Sequence, residues 1–198
     1  MYLSFIEAVD GDYLEFGVFT GSSFTHAMRC AKASERFLPN GKVMPRFFGF
    51  DSFSGFGDLA KEDVHPFYQD ENFSTSFEDV DKRARKTAKS LEYQLVPGFF
   101  SESLKDGPEK FELSKARIVF IDSDTYSSSL EALTFCLPLI QDGTIIILDD
   151  YFSYRGSRKH GVAAAFSQIV DQGKLDVRQL MTYGMGGCCF VVSAVDPK

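Results

Sequence analysis

The chain has no tryptophan, only four cysteines and three histidines, and no excess of positive charge. Each shortage excludes something. Cys30, Cys136, Cys188 and Cys189 form no C-x-x-C pair, and His26, His65 and His160 are scattered, so no zinc-ligand spacing exists. The four thiols read as reduced, small apolar core residues of a cytosolic protein. Lys and Arg number 21 against 28 Asp and Glu, a net charge of −7. An acidic surface repels phosphate backbones, which argues against nucleic acid as a partner. No apolar run approaches the ~20 residues that a membrane helix needs. The first basic residue is Arg29, so the opening segment lacks the basic region of a signal peptide, and a cytoplasmic location is expected. What the chain does have is 44% hydrophobic residues over 198 positions, 21 of them Phe. That is ordinary globular composition, and the length suits one domain over residues 1–198.

Strand and helix patterns alternate. Residues 12–17, 46–51, 93–96, 117–122 and 144–149 read as strands. The last two are continuous apolar runs rich in Ile and Val, as expected of strands buried on both faces. Helical stripes occupy residues 22–37, 76–91, 127–140 and 161–170. Ser76 followed by Asp79 resembles a capping box. Residues 177–181 and 188–194 read as two late strands joined by a turn containing Gly184, Gly186 and Gly187. The order predicts an α/β fold: a doubly wound, mostly parallel sheet, Rossmann-like, with an antiparallel C-terminal hairpin. The long segment 52–73, polar and aromatic, has the length of a functional loop.

In such sheets ligands gather at the carboxyl ends of the strands. Here four of the five ends carry a carboxylate: Glu15, Asp51, Asp122 with Asp124, and Asp149 with Asp150. At the first end, Gly17 and Gly21 permit a turn that a side chain would block, with Ser22 and Ser23 placed to cap the next helix. The spacing is neither G-x-G-x-x-G nor a P-loop, so pyrophosphate and triphosphate are not the natural guests. An acidic strand end suits a cationic ligand, while a purely structural turn explains the same residues. Asp51 lies where an acid commonly accepts hydrogen bonds from ribose hydroxyls, or it caps the turn before Ser52. Asp122, Asp124, Asp149 and Asp150 end two strands that would lie ~5 Å apart. A divalent cation with oxygen ligands resolves their repulsion, Mg²⁺ or another hard ion; a salt-bridge network with Arg155, Arg158 or Lys159 is the alternative.

Four segments together resemble the macrocin O-methyltransferase family: Glu15-Phe16-Gly17-Val18 with Gly21-Ser22-Ser23, Gly49-Phe50-Asp51-Ser52-Phe53 with Gly55, Ile121-Asp122-Ser123-Asp124-Thr125-Tyr126, and Asp149-Asp150-Tyr151. These are class I S-adenosylmethionine (SAM)-dependent, metal-assisted sugar O-methyltransferases. The resemblance implies that Glu15, Gly17 and Gly21 line the methionine end of SAM. Asp51 and Ser52 would hold the ribose, and Gly98, Phe99 and Phe100 would flank the adenine. Asp122, Asp149 and Asp150 would bind Mg²⁺, with Asp122 also touching the cofactor, and Asp124 would be the general base. The partner implied is a small-molecule hydroxyl acceptor, a sugar or other diol. Phe53, Phe56, Phe67 and Phe73 could give the site an apolar wall, and core packing or a dimer contact explains them equally. Whether the chain forms a homo-oligomer is left open. Two other readings compete: a haloacid-dehalogenase-like phosphohydrolase, suggested by Asp122-x-Asp124-Thr125, and a non-catalytic SAM- or nucleoside-binding module.

Overall fold

A computed structural model describes residues 1–57, 59–60, 63–65 and 73–195. Phe67 lies outside the described residues. Seven strands form one sheet: β1 Asp12–Phe16, β2 Phe47–Asp51, β3 Tyr93–Pro97, β4 Ala116–Ile121, β5 Ile145–Leu148, β6 Leu175–Tyr183 and β7 Gly187–Val195. Their order is β3-β2-β1-β4-β5-β7-β6. The first five are parallel; β7 runs antiparallel to β5, and β6 antiparallel to β7. The predicted doubly wound sheet with its closing hairpin is therefore what forms.

The helices are α1 Tyr2–Ile6, α2 Ser22–Ser34, α3 Phe77–Ala88, α4 Phe100–Ser103, α5 Tyr126–Cys136, α6 Ser153–Gly156 and α7 Gly161–Gly173. The period of two along each strand sorts the core into two layers. Leu14, Phe16, Val119, Ile121, Ile146 and Leu148 face α5 and α7, against Leu133, Cys136, Ala165 and Ile169. Tyr13, Phe47, Ile118 and Ile145 face α1, α2 and α3, against Phe5, Phe24, Met28, Val80 and Ala84. Phenylalanine supplies the bulk that absent tryptophans would otherwise bring. Phe16 stacks on Phe50 at 4.9 Å, and Phe100, Phe111 and Phe135 meet this pair edge-on. Such aromatic pairs contribute about 0.5–1.5 kcal/mol each beyond their burial.

Differences from the sequence reading have local causes. The first helix becomes a 3₁₀ turn over Glu35–Phe37, and the one after β4 does so at Leu137–Leu139, where Pro138 removes a backbone donor. Ser76 caps α3 by accepting from the Asp79 N–H at 3.3 Å, as its spacing suggests. Ser22 and Ser23 do not cap α2: the cap is Gly21, in the left-handed region, without a side-chain bond. Cys136, Cys188 and Cys189 are buried thiols, but Cys30 is only half-buried, its Sγ 3.3 Å from His26 Nε2. The placement of Cys30 in the core is corrected accordingly; it lies on the outer side of α2. Among the described residues, no helix is long and apolar enough to cross a membrane.

Candidate active site

Strand order reverses between β1 and β4, and the crevice at their carboxyl ends is the expected ligand position in an open parallel sheet. There the Phe16 carbonyl accepts from the Asp122 N–H at 2.8 Å, which brings the two tips together. Gly17 follows at φ 90°, and a Cβ at that position would stand 1.8 Å from the Asp122 carbonyl oxygen. Only glycine fits, for reasons of both space and backbone conformation. A pocket opens at this point, with an empty volume of about 550 Å³. Gly17, Asp51, Ser52, Phe99, Asp122 and Asp124 line it, with Phe19, Phe56, Phe73 and Phe100 as aromatic walls. The structure thus brings most of the sequence-derived candidates to one cavity.

Asp51 organises the rim. Its Oδ2 accepts from the Val18 and Phe19 N–H groups, both at 2.7 Å, and its Oδ1 from Phe53 N–H at 2.6 Å. These bonds hold Phe19 at φ 47° and Phe53 at φ 57°, a region bulky residues seldom enter without such support. Asp51 is therefore the turn organiser that one sequence reading described. It also faces the pocket, and each carboxylate oxygen offers about two acceptor directions, which leaves Oδ1 one for a ligand. Ser52 donates to the Gly55 carbonyl at 2.6 Å, closing the same turn.

Asp149 and Asp150 do not line this cavity but adjoin it through Asp122, and three other candidates are placed elsewhere. Glu15 is fully buried and does not line the pocket. Tyr13 and Ser23 donate to its carboxylate, the latter at 2.7 Å. Strand alternation explains this: Glu15 shares the face of Tyr13, under α2, while the pocket opens at the strand tip. Burial pushes the Glu15 carboxyl up to about 8, against the pull of its hydrogen bonds. Gly21 starts α2 against Val80 of α3 rather than lining the pocket. Gly98 turns the chain at φ 128°, donating its N–H to the Asp51 carbonyl at 2.9 Å, and leaves the lining to Phe99 and Phe100.

Asp122, Asp149 and Asp150 meet across the tips of β4 and β5. One carboxylate oxygen from each lies within 4.8 Å of the other two. Asp124 joins them from a left-handed backbone position, φ 62°, in the tight turn between β4 and α5. Burial first, with the neighbouring negative charges, pushes the carboxyl of Asp122 up to about 8 and that of Asp124 up to about 10; burial also raises that of Asp149. Among the described residues no Lys or Arg forms an ion pair with any of the four. The salt-bridge alternative with Arg155, Arg158 and Lys159 is not what forms, and an all-oxygen, multiply charged donor set suits a hard divalent ion.

Three further residues have no strand-end motif to mark them. Asp63 is buried in the segment after β2, with its Oδ1 accepting from Tyr126 N–H at 2.8 Å. Tyr154 lies over the acid-rich end of the sheet; burial, then the charges of Asp63, Asp124 and Asp150, pushes its phenol up to about 12. Tyr183, near the end of β6, brings an enclosed hydroxyl beside Asp149. The Tyr154 ring packs on Gly161, where a Cβ would stand 2.5 Å from it, a contact that no local sequence pattern announces.

This combination, a β1/β4 switch-point cavity with an acidic second strand end, is that of a class I methyltransferase. The family described as a methyltransferase domain matches residues 14–151, and the chain belongs to it. Mycinamicin III 3″-O-methyltransferase of Micromonospora griseorubida is 26% identical over 186 residues, covering 84% of this chain and 68% of that protein. The 8-demethyl-8-(2,3-dimethoxy-α-L-rhamnosyl)-tetracenomycin-C 4′-O-methyltransferase of Streptomyces olivaceus is 24% identical over 183 residues, covering 84% and 66%. The chain spans about two thirds of the length of these relatives. The O-methyltransferase NovP has the same fold, with a TM-score of 0.73 at 20% identity over 97% of this chain and 78% of that one. The chain is a SAM-dependent O-methyltransferase, as the resemblance to the macrocin family implies. The phosphohydrolase and non-catalytic readings fall away.

Proposed function

We propose that the protein methylates a hydroxyl of a sugar-bearing small molecule with the help of Mg²⁺ or a similar divalent cation. The observation that carries this reading is the close-set cluster of Asp122, Asp149 and Asp150, which among the described residues forms no ion pair with a Lys or Arg. Both named relatives methylate sugar positions according to their names, which supports a sugar hydroxyl as the acceptor.

The chain's residues divide the work. Gly17 lets the donor's charged centre approach the β1 tip. Asp51 and Ser52 hold the ribose side and Phe99 and Phe100 flank the adenine. Asp122, Asp149 and Asp150 hold the cation. When bound, the cation lowers the pKa of an acceptor hydroxyl and fixes its orientation. Asp124 accepts the proton of that hydroxyl as the oxygen displaces the methyl group from sulfur. Base catalysis of this kind typically contributes about 10²–10⁴-fold. The hydroxyl must be held about 3 Å from the methyl carbon, which is the task of the rigid strand tips. The aromatic walls exclude water, favouring a transfer in which the positive charge on sulfur disappears.

The test is methyl transfer from radiolabelled SAM to a panel of nucleotide sugars, glycosides and catechols, with Mg²⁺ and with EDTA. Transfer to a glycosyl hydroxyl that EDTA abolishes and Mg²⁺ restores is the expected result. Transfer undiminished by EDTA removes the cation; transfer to catechols alone removes the sugar.

A further inference from the structure

Asp63 and Tyr154 come from the segments that follow β2 and β5. Asp63 is 2% exposed, unusual for an acid in an irregular segment. Its Oδ1 accepts from the N–H groups of Tyr126 and Ser127, at 2.8 and 3.3 Å, in the first turn of α5. Thr125 caps the same turn by accepting from Ser128 N–H at 3.3 Å. That turn begins two residues after Asp124. Asp63 thereby supplies a negative charge and two acceptor bonds where helix N–H groups otherwise lack partners.

The Asp63 carbonyl in turn accepts from the Tyr154 hydroxyl at 3.3 Å. Tyr154 is held with effort. It and Arg155 both occupy the left-handed region, at φ 55° and 60°. The Tyr154 ring fills the space a side chain at Gly161 would need. It packs against His65 at 5.0 Å and stacks near His160 at 6.3 Å. Tyr154 lies four positions after Asp150 in the chain. One residue therefore touches the helix that follows Asp122 and Asp124, and through Tyr154 the segment that follows Asp149 and Asp150.

We propose that Asp63 and Tyr154 are positioning residues that clamp the two aspartate-bearing strand tips at the spacing a divalent cation needs. The inference rests on the cation site proposed above. Groups that orient metal ligands typically change metal affinity about 10–100-fold when removed. The clamp acts through the ligands' placement, so it affects cation affinity before it affects donor binding.

The test uses Mn²⁺ alone, titrated into the full chain and followed by the electron paramagnetic resonance of the free ion. In parallel, S-adenosylhomocysteine is titrated by calorimetry. The wild-type chain is expected to bind Mn²⁺, with Asp63→Ala about tenfold weaker. Tyr154→Phe loses the neutral hydrogen bond to the Asp63 carbonyl and is expected to be about fivefold weaker. Asp63→Asn retains an oxygen that accepts both N–H bonds, and should return to within about threefold of wild type. S-adenosylhomocysteine affinity stays constant throughout. Wild-type Mn²⁺ affinity in both Asp63→Ala and Tyr154→Phe overturns the clamp while leaving the cation site standing. A parallel fall in both affinities also overturns it, because it marks general loss of structure. Absence of Mn²⁺ binding in the wild type overturns the cation site and the clamp with it. If Asp63→Ala does not fold, Tyr154→Phe decides alone, by the same two affinities.

Discussion

Glu15 in β1 is fully buried, the aspartates at the tips of β4 and β5 are half-buried, and their partners differ as well. Glu15 has donors: Tyr13 and Ser23 bond to it, and α2 covers it. The aspartates chiefly face one another, with Ser153 donating to Asp150 at 2.9 Å and the Tyr183 hydroxyl beside Asp149. A buried carboxylate with hydrogen-bond donors is complete within the fold, even when burial raises its pKa. Carboxylates facing one another are incomplete: they must share protons or take up a cation. Motif alone ranks these acids together. Their partners separate the one that supports the fold from those that present charge to a ligand.

The sharpest way to break this comparison is at Asp124. Asp124→Asn keeps the turn's shape and removes the base, so turnover should fall by about 10²-fold or more, with SAM affinity within about twofold of wild type. Single-turnover transfer and calorimetry measure the two. Next in size is the cation. At a concentration of 100 times its Kd, a ligand specific to the folded state stabilises it by about 2.7 kcal/mol. For a chain of this size that raises Tm by about 5–10 °C. Asp149→Asn should shrink the Mg²⁺-induced rise seen in a thermal melt, whereas Glu15→Gln should leave it in place.

The third prediction concerns pH. The Glu15 carboxyl titrates near 8 in the fold, against 4.5 for an ordinary glutamate. The folded state therefore holds a proton that the unfolded chain releases across that window. Its contribution to stability is full below pH 4.5 and falls as pH rises toward 8, by at most about 1.4 kcal/mol per pH unit. Glu15→Gln removes this loss, so the stability difference between variant and wild type should move in the variant's favour from pH 5 to pH 8. Chemical denaturation at a series of pH values measures it. A difference that does not change with pH would mean that Glu15 is ionised inside the fold. The smallest effect is Ser23→Ala, which deletes one donor to Glu15 and should cost about 1–2 kcal/mol in the same assay.

Much of the architecture was legible because it depends on local pattern. The Ile- and Val-rich runs of β4 and β5 mark buried parallel strands, and their terminal aspartates mark the ligand side of the sheet. Gly17 was legible as a turn, though the reason it must be glycine, the Asp122 carbonyl beside it, is a contact between strands distant in sequence. Glu15 shows the limit of reading by motif. Its type suggests a ligand, but its parity with Tyr13 turns it under α2. Asp63 and Tyr154 escape because nothing near them in the chain marks them; their significance lies in bonds 63 and 91 residues long. The short α1 and α4 escape because four or five residues establish no helical period.

The most direct measurement is anomalous diffraction from crystals grown with Mn²⁺ and S-adenosylhomocysteine. A single peak is expected about 2.0–2.3 Å from oxygens of Asp122, Asp149 and Asp150, with Asp124 beside the site and the nucleoside in the Gly17–Asp51 cavity. A bound nucleoside with no peak among those carboxylates, at saturating Mn²⁺, would contradict it.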